Sequence, residues 1–375
     1  MSTIRTRSFA STPVVGTGTW GGNTIYSSFI PLRKDMTDIV GNKGGVNPLT
    51  LDSVERHGGL LTGQNPLKFI ANGMPVSFSN PSFITGVPNI TNANYGNRVL
   101  SQSGPLTPRM YLPVSLFELR DIPKMLKHAG DLLLKIGGRS GLDPVKEAAA
   151  ATLAYQFGWA PLLEDIGKML DFTETMRKRQ QMLLRAHTSK GVRRKVTLDS
   201  DKQTHSNWEW VWSTYGVLAS QRFTEIKTYK RWATISWTVK DKSQIGRIPT
   251  FSDEMRTAYG LNRGHIPIAV WKAMPWSWAI DWFADISNVM QANYNMIYYQ
   301  PSRCCIMTHF KTERNYDPWF AKSGMFSITP GQIIRERKSR QPFTPTAGVT
   351  LKLPFMDSFK LSIVGSMSIL ALSRR

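Results

Sequence analysis

The spacing of hydrophobic positions changes character several times along the chain. The first hundred-odd residues hold only short apolar runs, such as FITGVPNI (83–90) and RMYLPVSL (109–116), set among Gly, Pro, Asn, Ser and Thr. That texture predicts short strands joined by turns, and 1–114 is read as the β-rich N-terminal part of a sheet region. From Ser115 the period becomes helical: Leu116, Leu119, Ile122, Leu126, Ala129, Leu133 and Ile136 recur on one face. Ser115 and Glu118 form a capping-box pattern, Pro123 is placed to kink the first turns, and Gly137-Gly138 closes the helix. A second helix starts at Asp143-Pro144 and runs to about Arg185, bent near Gly158 and Pro161. Residues 115–190 are therefore the first part of a helical region.

Between Gly191 and Val239 the period is two. Trp208, Trp210 and Trp212 alternate with Glu209 and Val211, and Ala233, Ile235, Trp237 and Val239 alternate with polar residues. Long antiparallel strands are expected within 191–270. Helix returns from Pro275 toward Tyr294, the expected central helix of 271–298. Basic strands follow in 299–350, and a C-terminal helix, Met356 to Leu372, occupies 351–375. Four helical segments are expected to associate as one bundle, with the β segments forming a separate sheet. The predicted fold class is α+β, a two-part molecule with a helical bundle region and an antiparallel β-sheet region.

The stretch PWSWAIDWFADI (275–286) is the most unusual. Plotted as a helix, Ser277, Asp281, Asp285 and Asn288 form one polar stripe, and apolar residues cover the rest. A helix apolar over most of its circumference belongs inside a bundle. Packing is therefore preferred over an acid/base pair at Asp281 and Asp285. Trp159, Pro161, Trp276, Trp278, Asp281 and Trp282 are taken as a structural core motif.

Charge adds a partner class. Lys and Arg number 47 against 26 Asp and Glu, a net charge of +21. Such an excess favours a polyanion, because each cation docked on a phosphate releases condensed counterions. Arg177, Lys178, Arg179, Arg185, Lys190, Arg193, Arg194 and Lys195 fall in one stretch without an acid. Arg335, Arg337, Lys338 and Arg340 alternate on an expected strand. Some of the first group complement a helix C-terminus, but the cluster exceeds what capping needs. Both groups are the expected RNA-phosphate contacts. The paired aromatics at Trp208, Trp210 and Trp212 fit either base stacking or hairpin packing.

Other chemistry is weakly represented. GTGTWG (16–21) matches a dinucleotide fingerprint, but β-branched, turn-like sequence follows where a helix is required. The six histidines show no ligand spacing, no serine sits in a nucleophile elbow, and Cys304 and Cys305 are adjacent to each other. No metal, cofactor or enzyme activity is expected. The N-terminal stretch lacks the apolar core of a secretory signal and is expected to be polar or strand-forming. No apolar run reaches the ~20 residues a membrane span needs.

YQFGWAPLLEDI (155–166) and PWSWAIDWFADISNVM (275–290), in this order and followed by a basic strand and a C-terminal helix, resemble the maturation proteins of single-stranded RNA bacteriophages, the levivirus family. The blocks cover under a tenth of the chain and contain few cations, so the RNA-contact residues above rest on charge alone. The resemblance implies an elongated virion protein, one copy per particle, that replaces part of the coat shell. It implies binding to genomic RNA near its 3′ end and attachment to a bacterial pilus for genome delivery. The partners would be viral RNA, coat protein and pilin; the pilus-contacting residues are not indicated. The alternative is a cellular basic RNA-binding protein without a virion role.

Overall fold

The computed structural model describes residues 3–41, 46–108, 172–245, 250–274, 277–349 and 361–366, together with 111, 152, 155 and 368. The predicted helix from Ser115 to Ile136, most of the one from Pro144, and Trp159, Pro161 and Trp276 lie outside the described residues. Only 361–366 and 368 of the expected C-terminal helix are described, and they are helical.

The expected helical bundle beside a sheet is corrected by the structure, which is only loosely α+β. Antiparallel sheet dominates, with 47% strand and 25% helix, two sheets and six helices among the described residues. The reason is visible in the element lengths. Period-two segments extend far: β8 (Val192–Trp212) and β9 (Ala219–Val239) each run for 21 residues and β10 (Tyr299–Tyr316) for 18. Among the described residues the helical stretches are shorter: α1 (Asn92–Ser103), α2 (Phe172–Ala186), α3 (Phe251–Ala258), α4 (Ile266–Ala273), α5 (Ser277–Ala284) and α6 (Ile286–Tyr298). The single helix expected from Pro275 is two. Asp285 adopts a left-handed conformation with φ 52°, which stops α5 and starts α6 in a new direction. Ile280 and Phe283 of α5 are about half exposed, so that helix is not enclosed on all sides.

The chain divides into two compact units. One comprises Met1–Ile90, Lys195–Ile235 and Arg303–Thr344; the other comprises Thr91–Arg194, Ser236–Ser302 and Pro345–Arg375.

The N-terminal sequence of the first unit folds as β1 (Thr3–Ala10), β2 (Val14–Trp20), β3 (Asn23–Phe29), β4 (Leu32–Val40), β5 (Leu49–Gly58), β6 (Leu60–Gln64) and β7 (Phe69–Pro75). Later strands are β11 (Trp319–Phe320), β12 (Phe326–Ile328) and β13 (Gly331–Pro342). One sheet has the order β1-β4-β5-β13-β10-β9-β8 and the other β11-β12-β6-β7-β2-β3. Alternation along β9 buries every odd-numbered residue except Lys227, the mark of a strand with one packed face. The core lies between the sheets. Leu61, Phe69, Met74 and Ile328 of one meet Val211, Phe223, Tyr316 and Ile333 of the other. Phe78 stacks on Tyr316 with centroids 4.0 Å apart. The segment after β7 then straps the packed face of the larger sheet, where Thr312 Oγ1 donates to Ser82 O at 3.0 Å and Arg231 Nη1 to Pro88 O at 2.6 Å. A buried ionic cluster sits under the strap. Glu225, with a fully buried carboxylate, accepts from Arg314 Nε, and Lys227 Nζ and His205 Nε2 lie 3.0 and 2.9 Å from its other oxygen.

In the second unit α1, capped by Thr91, packs on α6 through side-chain amides. Asn295 Nδ2 donates to Leu100 O at 2.9 Å and lies 3.1 Å from Thr107 Oγ1. Gln291 donates to Asn295 and accepts from Tyr111 Oη at 2.6 Å. Buried amides satisfied this fully specify one helix pairing. His265 is fully buried, with Nε2 2.9 Å from Leu106 O.

Candidate nucleic-acid interface

The first basic stretch forms the end of α2, a turn, and the start of β8. Met182, Leu183 and Ala186 turn inward, which leaves Arg177, Lys178 and Arg185 exposed. Gly191 makes the turn possible: its φ is +70°, and a Cβ there would lie 2.4 Å from Trp237 O. Lys190, Arg193, Arg194 and Lys195 follow, all exposed, between the buried anchors Ala186, Val192 and Val196.

Within this stretch the structure separates surface cations from structural ones. Arg179 is half-buried and donates to Thr107 O at 2.6 Å and Pro105 O at 2.7 Å, closing two carbonyls after α1. Lys178 pairs with Glu174 one helical turn away at 2.5 Å. Arg194 Nη1 lies 3.1 Å from Met182 Sδ, and Lys195 Nζ sits 4.8 Å over the Trp232 ring. All of these cations except Arg179 keep exposed side chains, and with Arg177, Arg185, Lys190 and Arg193 they form a short track of positive charge running off a helix C-terminus.

The second basic stretch is β13, and its four cations do not share a face. Cross-strand register puts Arg337 opposite Asp52 and Phe310, and Arg335 opposite Val54 and Thr312. These two face the strap. Arg335 Nη1 donates to Pro81 O at 3.0 Å, Arg337 Nε to Asp52 Oδ1 at 2.7 Å, and both guanidinium groups lie over Phe83. Lys338 and Arg340 are on the opposite face, where Lys338 pairs with Glu336 at 2.8 Å and Arg340 Nε donates to Asn47 O at 2.7 Å.

Register along that opposite face reveals cations the sequence reading missed. Arg5 stands opposite Asp38, which is opposite Leu49 and then Arg340; Arg7 leads through Met36 and Leu51 to Lys338; Lys34 leads through Ser53 to Glu336 and Lys311. Asp38 takes Arg5 Nη2 at 2.6 Å, so part of this charge is neutralised locally. The alternation of Arg5 and Arg7 in TIRTRSF was the available signal. It carries meaning only once the strand's neighbours are known.

Trp208 and Trp210 are 64% and 68% exposed on β8, the outermost strand of its sheet, whereas Trp212 packs on Phe69 with centroids 6.2 Å apart. Asp281 and Asp285 act as hydrogen-bond acceptors at the helix break. Asp281 Oδ1 accepts from Trp271 Nε1 at 3.2 Å and from Ser287 N at 3.0 Å, and Oδ2 accepts from Ser287 Oγ. Asp285 Oδ1 accepts from Asn288 Nδ2 at 2.6 Å. Asp281 thus fastens the first turn of α6 to α4, tying the break in the Trp-rich stretch to its neighbour. Trp282 is half-buried; the side chain of Trp278 lies outside the described residues.

Gly16 and Gly18 lie in β2, where a Cβ would fall 2.2 Å from Gly73 O and 2.6 Å from Ile70 O respectively. Those glycines serve close strand packing, and no helix follows them. Cys304 and Cys305 are free and buried, and burial pushes the Cys304 thiol up to about 12, far from a reactive thiolate. No group of three or more His, Cys, Asp or Glu able to hold a metal occurs among the described residues. No helix there is long and apolar enough to cross a membrane.

Residues 140–314 match the family model described as phage maturation protein, a span that contains both Trp blocks, α2 and the whole basic turn. The match supports the chain as a maturation protein of an RNA phage. No curated protein matches it.

Proposed function

We propose, on the premise of a phage maturation protein, that this chain is the virion component that binds genomic single-stranded RNA near its 3′ end and attaches the particle to a bacterial pilus for genome delivery. The observation that carries the RNA reading is the exposed run Arg177, Arg185, Lys190, Arg193, Arg194 and Lys195 at the α2–β8 turn. Anchored on both sides by buried residues, these side chains hold their charge in a fixed track, which suits a phosphate backbone. A chain neutralising five phosphates would show a salt slope of about −3.5 for a single strand. Arg335, Arg337, Lys338 and Arg340 contribute as a secondary surface, since their guanidinium and ammonium groups already engage protein acceptors.

In this reading the protein has no catalytic task. One copy takes the place of part of the coat shell, contacts coat protein, and presents another surface to pilin. Crosslinking purified particles and sequencing the RNA joined to this chain tests the proposal. Genomic RNA attached at the α2–β8 turn is the expected result. Recovery of the chain from cells bound to many host RNAs, and from no particle, would replace it with the cellular RNA-binding alternative.

A further inference from the structure

The second unit contains a cavity of about 590 Å³, inside the roughly 300–1,000 Å³ range of small-molecule sites. Several segments of that unit converge on it: Leu106, the end of α2, the end of β9, α3, residues 262–264 at the start of a 3-10 turn, the end of α6 and the start of β10. Part of its wall is aromatic. Tyr294, Tyr298 and Tyr299 are consecutive or one turn apart, with Tyr294 edge-on to Tyr298 at 6.1 Å and His187 edge-on to Tyr299 at 5.9 Å. Tyr298, which lines the cavity, remains 57% exposed. Gly264 permits this arrangement, since a Cβ there would lie 1.8 Å from the Tyr294 ring.

The charged lining pairs two cations with two acids. Lys240 and Arg263 line the cavity with exposed side chains. Two acids also line it, but both are engaged by helix N-termini: Asp241 accepts from Ser243 N at 2.9 Å and Ser243 Oγ at 2.7 Å, and Asp253 accepts from Thr250 Oγ1 at 2.7 Å. Asn262 Nδ2 donates to Thr257 Oγ1 at 2.9 Å, and His187 Nδ1 lies 2.9 Å from Leu183 O, which leaves Nε2 as the other polar edge of the ring. Aromatic faces, a few amide and imidazole edge groups and two cations are the chemistry that takes up a nucleotide. Stacking holds the base, edge groups contact its Watson–Crick side, and cations meet the flanking phosphates.

The cavity is also placed where such a strand would arrive. Leu183 and His187, which line it, belong to the same helix end and turn that carry Arg185 and Lys190. We propose that this cavity receives one unstacked nucleotide of the single-stranded RNA whose backbone follows the α2–β8 track. The inference rests on the RNA reading above and adds a base-capturing site to a surface otherwise defined by charge.

The test uses the full chain and genomic-sequence RNA transcribed with 4-thiouridine. Irradiation followed by peptide mapping is expected to give crosslinks at His187 or at Tyr298–Tyr299. Tyr298→Leu, an exposed position checked for folding by circular dichroism, is expected to weaken RNA binding about tenfold with the salt slope unchanged. Lys240→Ala with Arg263→Ala is expected to reduce the slope of log K against log salt by about 1.4. If both variants bind RNA like the parent while alanines at Arg193, Arg194 and Lys195 weaken it, the cavity is not a nucleotide site and the RNA reading stands. If the parent binds no RNA at all, both readings fall.

Discussion

Replacing Arg193, Arg194 and Lys195 together by alanine probes the charged track without touching its anchors. Val192 and Val196 are 6% and 5% exposed, so the strand keeps its buried side chains while three exposed cations are removed. Locally, Arg194 gives up its approach to Met182 Sδ at 3.1 Å. Lys195 gives up a cation–π contact with Trp232 at 4.8 Å, worth about 0.5–1 kcal/mol at an exposed site. The binding loss is much larger. Each contact with a single-stranded phosphate contributes about 0.7 log(1/[salt]) to log K, which is about 0.6 log units at ~0.15 M salt. Three contacts together amount to about 1.7 log units, or roughly 50-fold, and lower the slope by about 2. Filter binding of labelled genomic RNA across a salt series measures both quantities. Lysine at Arg193 and Arg194 preserves charge and is expected to keep the slope. An alanine variant that folds normally and retains the parental slope would show that the RNA backbone does not run over this turn.

Two further expectations concern the scaffold that holds these surfaces. Glu225→Gln leaves Arg314, Lys227 and His205 facing a neutral amide in a buried position; Arg314 keeps Glu209 at 3.2 Å, so the cost falls at about 3 kcal/mol, near the low end for a broken buried pair. Urea unfolding of the full chain reports it, and a shift below about 1 kcal/mol would refute this cost for the broken cluster. The His265 imidazole is held down to about 4 by burial, assisted by repulsion from Arg179. Above the ordinary value near 6.5 it is neutral folded or unfolded, and below that only the unfolded chain takes up the proton. Stability is therefore fully present above about pH 6.5 and falls as pH drops toward 4, by at most about 1.4 kcal/mol per pH unit. His265→Gln should flatten that part of the pH dependence in urea titrations at pH 7 and pH 5, and an unchanged slope would refute the assignment.

The alternation in 219–239 was legible because a strand with one packed face writes its burial directly into sequence. The same logic failed at Pro275–Tyr294. A helical period continues across Asp285, and one residue in the left-handed region breaks the helix without disturbing the pattern of apolar positions. The preference for a helical bundle had the same origin, since periodicity reports local twist and says nothing about how many strands will pair. The order β1-β4-β5-β13-β10-β9-β8 joins strands from opposite ends of the chain, and only cross-strand hydrogen bonds and side-chain packing determine it.

By itself, the sequence determined the family resemblance, the excess of positive charge and the long period-two strands, because each is a property of residue identity and spacing. Tertiary structure decided which cations face solvent. Arg179 reaches a carbonyl 72 residues away, Arg335 one 254 residues away, and Arg340 one 293 residues away. In sequence those arginines are indistinguishable from Arg193 and Lys190. A buried carbonyl needs a donor, and which side chain supplies it depends on where the folded chain brings the two together.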